Sequence, residues 1–472
     1  MEWGRWVVGV WGHVGCGVMA RIIVIGAGVA GLAAAARMAG GGNEVTLVER
    51  NSFPGGALNW AFPGVLTLPA VLRDLFVKTG GRKASAAGLL EDVVELRAVD
   101  PVRRYLFPDG SGLDLPNAAR GDSRDAFDAA FGAGAGDAWL RVVDHGSRAW
   151  SAIRPRLVEV PDAGRGDLWR LLRSSDARRA VAPRRTLREV GEDAGVRDPR
   201  MWSVLDEYAR GAGAAPDRAP AVLTSRIYIE QTFGAWRIVG GFSELATAMY
   251  ERCLKRGVSF RFDAEVGAVV SGAVTLADGE RLAADVIVAA VDAQVLAGLT
   301  GRKAAAGAAV GAGYSPSMLS VRIDSSEVCG LPYETVIFGK GSEGDAGGEP
   351  TLRVQVAPER AGEWIVHADL WRGWDAEGVR QRVAARLGVR ADALSVREVF
   401  TPADRERLTG TPGGSVNGPA MDSVTTAILR SPTVQPIKGL LHVGGSSRPG
   451  PGIAFEALSA WNAAEVLKPT RS

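Results

Sequence analysis

The run RIIVIG, Arg21 to Gly26, is apolar at every position from Ile22 to Ile25, with none of the alternation that one solvated face would impose. Such a run predicts a strand buried on both faces, as in a parallel sheet. GLAAAARMAG then predicts a helix and EVTLVER a second buried strand, so the chain opens with a strand–turn–helix–strand unit. Further on, DAFDAAFGAGAGDAWLRVVDHGSRAWSAIRPRL and PRMWSVLDEYARG carry helical periodicity. VTLADGERLAADVIVAAVDA reads as a hairpin turning at Asp278-Gly279, followed by a buried strand ending at Asp292. SMLSVRID, ETVIFGK and TLRVQVA alternate, which predicts antiparallel strands, and GSEGDAGGEP is a loop. Near the end, KGLLHVGGSSRPGPGIAFEALSAWNAAEVL gives an apolar strand, a turn rich in Gly and Pro, and an apolar helix. Trp139, Trp150, Trp169 and Trp202, spread through the helical region, are expected in the core.

Composition narrows the class. With 472 residues, 46% hydrophobic and 23% charged, the chain is long enough for one large core or two. A net charge of +2 and the lack of a basic run interleaved with aromatics argue against a nucleic-acid partner. Cys16, Cys253 and Cys329 are far apart, which argues against a disulfide framework and for a reducing, cytoplasmic setting. His13, His145, His367 and His442 lack metal-ligand spacing, so no metal site is expected. No apolar run reaches the length of about eighteen residues that a membrane-spanning helix needs. Residues 1–18, interrupted by glycines and His13, are read as a mis-called start or a disordered extension, and the fold is expected to begin at Met19.

Gly26, Gly28 and Gly31 form G-x-G-x-x-G between the first strand and its helix. Gly26 permits the tight turn, Gly28 lets the backbone approach a pyrophosphate, and Gly31 lets the helix pack closely on the strand. The helix presents unpaired N–H groups and its positive dipole end to the phosphates. Glu49 ends the second strand at the distance where a carboxylate accepts ribose hydroxyls and repels a 2′-phosphate, which leaves FAD or NAD. Pro54, Gly55 and Gly56 follow within a few residues and supply a second backbone segment able to pass close to a cofactor.

The glycine turn, the second glycine pair and the C-terminal segment with Gly444 and Gly445 together resemble the phytoene desaturase-like FAD-dependent oxidoreductases, within the amine oxidase flavoprotein superfamily. QTFGAWRIVGGFSELATAMYERCLKRGVSFRFDAEV strengthens the resemblance, which extends from Met19 to Leu467. It implies an α/β protein. A discontinuous Rossmann-like FAD-binding domain, with a parallel sheet plus β-meander, would come from residues 19–75, 228–300 and 430–472. A substrate domain of α+β type, with an antiparallel sheet and a helical insertion, would come from 76–227 and 301–429.

By the same resemblance the FAD site takes Gly26, Gly28, Ala30, Gly31, Glu49, Arg50, Gly55, Gly56 and Ala57 from the N-terminal part. Val266 would meet the adenine, Gly444 and Gly445 the ribityl and phosphate chain, and Gly452 with the Ile453 N–H the pyrimidine edge of the flavin. The implied chemistry is hydride transfer from an apolar polyene or isoprenoid held in an apolar tunnel, with a quinone or oxygen as electron acceptor. Peripheral contact with a membrane, through an amphipathic helix of the first insertion, is a further expectation. No catalytic residue is assigned. Arg124, Asp125 and Asp128 are read as a solvated face, and Tyr208 and Tyr228 as plausible pocket groups.

Three departures from the family pattern stand out. Ala57 replaces an Arg that usually follows the glycine pair, the acidic strand normally passing beside the flavin is not recognisable, and Arg448 replaces the His of a His-Pro-Gly stretch beside altered Pro451 and Ala454. They leave open an amine oxidase or protoporphyrinogen oxidase-like enzyme, a polyene isomerase, and a flavin-free isoprenoid carrier.

Overall fold

The structure is a computed structural model that describes residues 19–59, 64–80, 88–302, 318–327, 330–340, 349–369 and 375–468. The N-terminal extension with His13 and Cys16, Cys329 and most of the GSEGDAGGEP loop lie outside the described residues.

The protein is α/β. A parallel sheet has the spatial order Leu440–His442, Val286–Ala289, Arg21–Ile25, Glu44–Val48, Ser259–Arg261. The absence of alternation in RIIVIG has a direct cause here. Ile22 and Val24 pack toward the helices Val29–Ala39, Phe242–Lys255 and Ile453–Val466, while Ile23 and Ile25 pack toward a three-stranded antiparallel meander formed by Val266–Val270, Ala273–Leu276 and Arg281–Ala283. Both faces are covered, so both faces are apolar. The helix Val29–Ala39 is buried almost throughout, and its alanines let the terminal helix Ile453–Val466 lie close against it.

A second, seven-stranded sheet runs Leu394–Phe400, Met318–Ser325, Glu363–Asp369, Leu352–Val356, Glu334–Ile337, Arg103–Leu106, Gly112–Leu115. It is antiparallel except where Glu334–Ile337 pairs with Arg103–Leu106. One face is apolar: Val321, Leu352, Val354 and Val366 pack on Val379 and Val383 of the helix Ala376–Leu387. Alternate positions point the other way and place Arg103, Tyr105, Ser320, Glu334, Arg353, Gln355 and His367 on one interior polar face.

The helices Arg120–Phe131, Ala135–Ile153, Pro199–Gly211 and Thr224–Phe233 surround a core in which Trp139 stacks on Phe127, ring centroids 4.4 Å apart. Trp139 and Trp150 are buried and Trp202 is half-buried. Trp169 departs from expectation at 66% exposure. Its short helix Arg165–Leu172 turns Leu168 and Leu171 inward, which leaves the intervening position outside. Arg124 and Asp125 are exposed, with Arg124 paired to Asp137 at 2.9 Å, and Asp128 caps the Gly136 N–H at 2.9 Å. Among the described residues no helix is long and apolar enough to cross a membrane.

Candidate functional site

The first glycine turn is built so that side chains do not fit. Gly26 has φ +96°, and a Cβ on Gly31 would stand 1.8 Å from the Gly26 carbonyl oxygen, inside any tolerable contact. The second glycine segment is pinned to this turn by the Gly55 N–H, which donates to the Ala27 carbonyl at 2.8 Å. From the far end of the chain, the Gly444 N–H donates to Ser459 Oγ at 2.9 Å, and Gly444 lies against Ala30.

These segments enclose one groove. Gly26, Gly28, Ala30, Glu49, Arg50, Gly56, Ala57, Val266, Gly444 and Gly445 line it together. Gly31 lies beneath the turn, and Gly55 ties to Ala27. Gly452 and Ile453 line an adjoining cavity at the start of the terminal helix. Glu49 is buried, with Oε2 accepting the Ala27 N–H at 2.6 Å and Oε1 accepting the Asn51 N–H at 2.9 Å and Nδ2 at 2.8 Å. Its orientation is therefore set by the protein itself. Arg50 Nη2 donates to the carbonyls of Arg407, 2.6 Å, and Glu406, 3.3 Å, tying the groove to the helix Pro402–Thr409. The groove also has a wall that sequence reasoning missed: Asp292, Arg405, the segment 415–418 and Glu456. PADRERLTG carries no motif, and its charge pattern resembles any solvated helix.

Arg448, the replacement for a family His, lies outside both spaces. Its Nε donates to the Arg430 carbonyl at 3.1 Å and its Nη1 to the Ala163 carbonyl, which holds the C-terminal turn onto the helical insertion.

The adjoining cavity shares Val416 and Asn417 with the groove and continues to Arg103, Glu207, Tyr208, Arg226, Glu230, Arg353 and His367. An apolar tunnel was the expectation; this cavity is substantially polar because the polar face of the seven-stranded sheet forms its floor. Arg103 Nε donates to Glu334 Oε1 at 2.5 Å and Nη2 to Glu230 Oε2 at 3.3 Å. Arg353 pairs with Glu207 and approaches Glu334 at 3.5 Å. Tyr208 donates its hydroxyl to Glu230, and burial together with that carboxylate pushes the phenol well above its ordinary range. Burial opposes ionisation of Glu334, but Arg103 and Arg353 outweigh it and hold its carboxyl low. Tyr228 packs in the helical core instead of on the cavity wall. The signal lay in the alternation itself: Arg353 and Gln355 stand between Leu352, Val354 and Val356, and in a sheet covered on both sides their face is interior.

Residues 21–86 match the FAD binding domain family, and residues 90–317 match the flavin containing amine oxidoreductase family. Hydroxyneurosporene desaturase of Cereibacter sphaeroides is 29% identical, over 95% of this chain and 98% of its own length. The chain is an FAD-dependent oxidoreductase, similar over most of its length to the phytoene desaturase-like proteins. Among this flavoprotein's other relatives, 4,4'-diapolycopene oxygenase of Methylomonas sp is 32% identical over 57% of this chain and 55% of that protein. An oxidoreductase from Methanosarcina mazei has the same fold, with TM-score 0.59 at 14% identity, covering 94% of this chain and 100% of that one. A putrescine oxidase variant gives TM-score 0.61 at 13% identity, covering 95% and 98%.

FAD is the flavoprotein's cofactor, and the groove fits it. A glycine cradle that side chains would fill stands at a helix N-terminus, a buried carboxylate is fixed beside it, and Arg405 brings a buried guanidinium whose Nε has no partner.

Glu456 adds a pH dependence. Burial pushes its carboxyl up to about 7, against the opposing pull of the Gly452 N–H and Arg430. The folded protein therefore keeps a proton that the unfolded chain releases, and stability falls as pH rises from the ordinary carboxylate range to about 7. The apoprotein is expected to lose on the order of 2–3 kcal/mol across that window, and Glu456→Gln to flatten this part of the slope. Thermal melts of both proteins between about pH 4.5 and pH 7.5 check it; parallel slopes would contradict it.

Proposed function

We propose that the protein is an FAD-dependent desaturase acting on a polyene that carries an oxygen function close to the reacting bond. The observation that carries the oxygen function is Arg226 on the cavity wall. Its Nη2 donates to the Pro451 carbonyl at 3.1 Å, and its guanidinium lies 5.0 Å from the Phe455 ring centre. Burial pulls its pKa down to about 10, and among the described residues no ion pair holds it. Such a cation favours a hydroxyl, carbonyl or carboxylate and repels an amine, which sets this cavity apart from one for amine oxidation.

The relatives support the same direction: they include hydroxyneurosporene desaturase and 1-hydroxycarotenoid 3,4-desaturase. In desaturation, two hydrogens leave adjacent carbons, one as a hydride accepted by FAD and one as a proton. The chain's own part is to orient. Arg226 holds the oxygenated end, the Arg103–Glu334–Arg353 network fixes the cavity floor, and the terminal helix places its N-terminus at the junction of groove and cavity. The cofactor contacts expected of Gly28, Glu49, Val266, Gly444 and Ile453 belong to the same proposal. The test supplies hydroxylated and plain polyenes in liposomes and analyses products by mass. Loss of two hydrogens, faster for the hydroxylated substrate and with that preference reduced in Arg226→Met, is expected; equal rates on both would remove the oxygen function from the reading.

A polyene dissolves in a bilayer, so the protein must meet one, and a quinone there or oxygen would reoxidise the flavin. The surface around Trp169 suits peripheral contact with the inner face of a membrane. Arg173 stacks on the Trp169 ring at 4.8 Å, and residues 154–188 hold ten arginines against four acidic residues. An exposed aromatic beside Arg173, on a segment rich in arginine, matches an anionic headgroup layer. The wild type is expected to float with anionic vesicles and be released by salt, and Trp169→Ala to float less. No flotation with vesicles of either charge would contradict this contact.

A further inference from the structure

Arg405 lies on the helix Pro402–Thr409, only 3% exposed. Its Nη2 donates to Ser320 Oγ at 3.2 Å, its guanidinium stands 5.2 Å from the Phe400 ring centre, and its Nε is a buried donor without an acceptor among the described residues. Burial alone pulls its pKa down to about 10. An interior cation without a carboxylate is costly to keep, so an anion is the missing partner. Two placements say where that anion sits. Arg405 lines the same groove as Gly26 and Gly28, where the helix N-terminus already favours negative charge. Its helix also packs on the turn Gly56–Asn59, which carries Ala57, the position where the family pattern has an Arg.

We propose that Arg405 neutralises the diphosphate of FAD, replacing from the far side of the groove the cation that Ala57 cannot supply. The assignment rests on the groove being the FAD site. It makes the cofactor a bridge: the glycine turn of the parallel sheet holds the diphosphate on one side, and a helix attached to the seven-stranded sheet holds it on the other. It also distinguishes Arg405 from Arg50, whose Nη2 is turned to the carbonyls of Glu406 and Arg407.

The test strips the full-length protein of flavin, titrates it with FAD, and compares wild type, Arg405→Met and Arg405→Lys, with thermal melts of each apoprotein. Arg405→Met is expected to weaken FAD binding by about ten- to hundredfold, the range of a charged hydrogen bond, and Arg405→Lys by less. The apoprotein of Arg405→Met should melt no lower than wild type, because an uncompensated buried charge has been removed. FAD binding by Arg405→Met within about threefold of wild type would overturn the proposal, since that is below the loss of a charged hydrogen bond. A loss of affinity matched by a lower apoprotein melting point in both variants would also overturn it, by showing a purely structural role. Wild type that binds no FAD would overturn the groove reading and this assignment with it.

Discussion

Gly31→Ala is expected to abolish flavin retention and destabilise the apoprotein, whereas Gly28→Ala should weaken FAD binding and leave the apoprotein intact. A Cβ on Gly31 stands 1.8 Å from the Gly26 carbonyl oxygen and 3.2 Å from Ala290 Cβ, so the helix Val29–Ala39 would have to move off the strand. That helix is packed on both the sheet and the terminal helix, which makes the movement expensive. The cost should reach or exceed the usual range for overpacking, about 1–3 kcal/mol. Gly28 is the opposite case, with nothing within 4 Å of its Cβ position and a place on the groove wall. The added methyl therefore meets only what enters the groove. Flavin content after purification and urea unfolding of the two apoproteins separate the cases. Equal behaviour of the two variants would mean that the turn has no special role in holding a cofactor.

Glu334→Ala is expected to cost about 3 kcal/mol, the lower end of what breaking a buried ion pair costs. Glu334 is fully buried and stands between Arg103 and Arg353. Removing it leaves two interior cations, but Arg103 keeps Glu230 and Arg353 keeps Glu207, which limits the penalty. Urea unfolding of Glu334→Ala, Arg103→Met and the double variant tests this. The double variant should cost clearly less than the sum of the singles. Additive losses would show that the network is not coupled.

What was legible in the sequence follows from how local each feature is. RIIVIG, the glycine turn and Glu49 lie within one stretch of chain, and the covering of both sheet faces removes alternation, so strand, turn and helix are readable without tertiary information. The C-terminal segment was readable because its strand and helix repeat the same pattern. Arg405 and the cavity floor were not. The pairs that decide them join residues far apart in the chain, such as Arg103 with Glu334 and Arg405 with Ser320, and no periodicity encodes such pairing. Alternating strands also look alike whether their polar face meets solvent or an interior cavity, so nothing in the sequence corrected the apolar tunnel that the resemblance implies, where charged side chains stand. Trp169 fails for a related reason: helical spacing places a tryptophan on a helix, but which side is covered depends on neighbours the spacing does not name.

The central claim about the protein is that electrons leave a polyene for a flavin held in this groove. The most direct measurement mixes the purified, flavin-loaded protein with a hydroxylated polyene in liposomes under anaerobic conditions and follows the visible spectrum. The oxidised flavin band is expected to bleach in step with a red shift of the polyene absorption, one added double bond per flavin reduced. A flavin band that persists beside an unchanged polyene spectrum would contradict it.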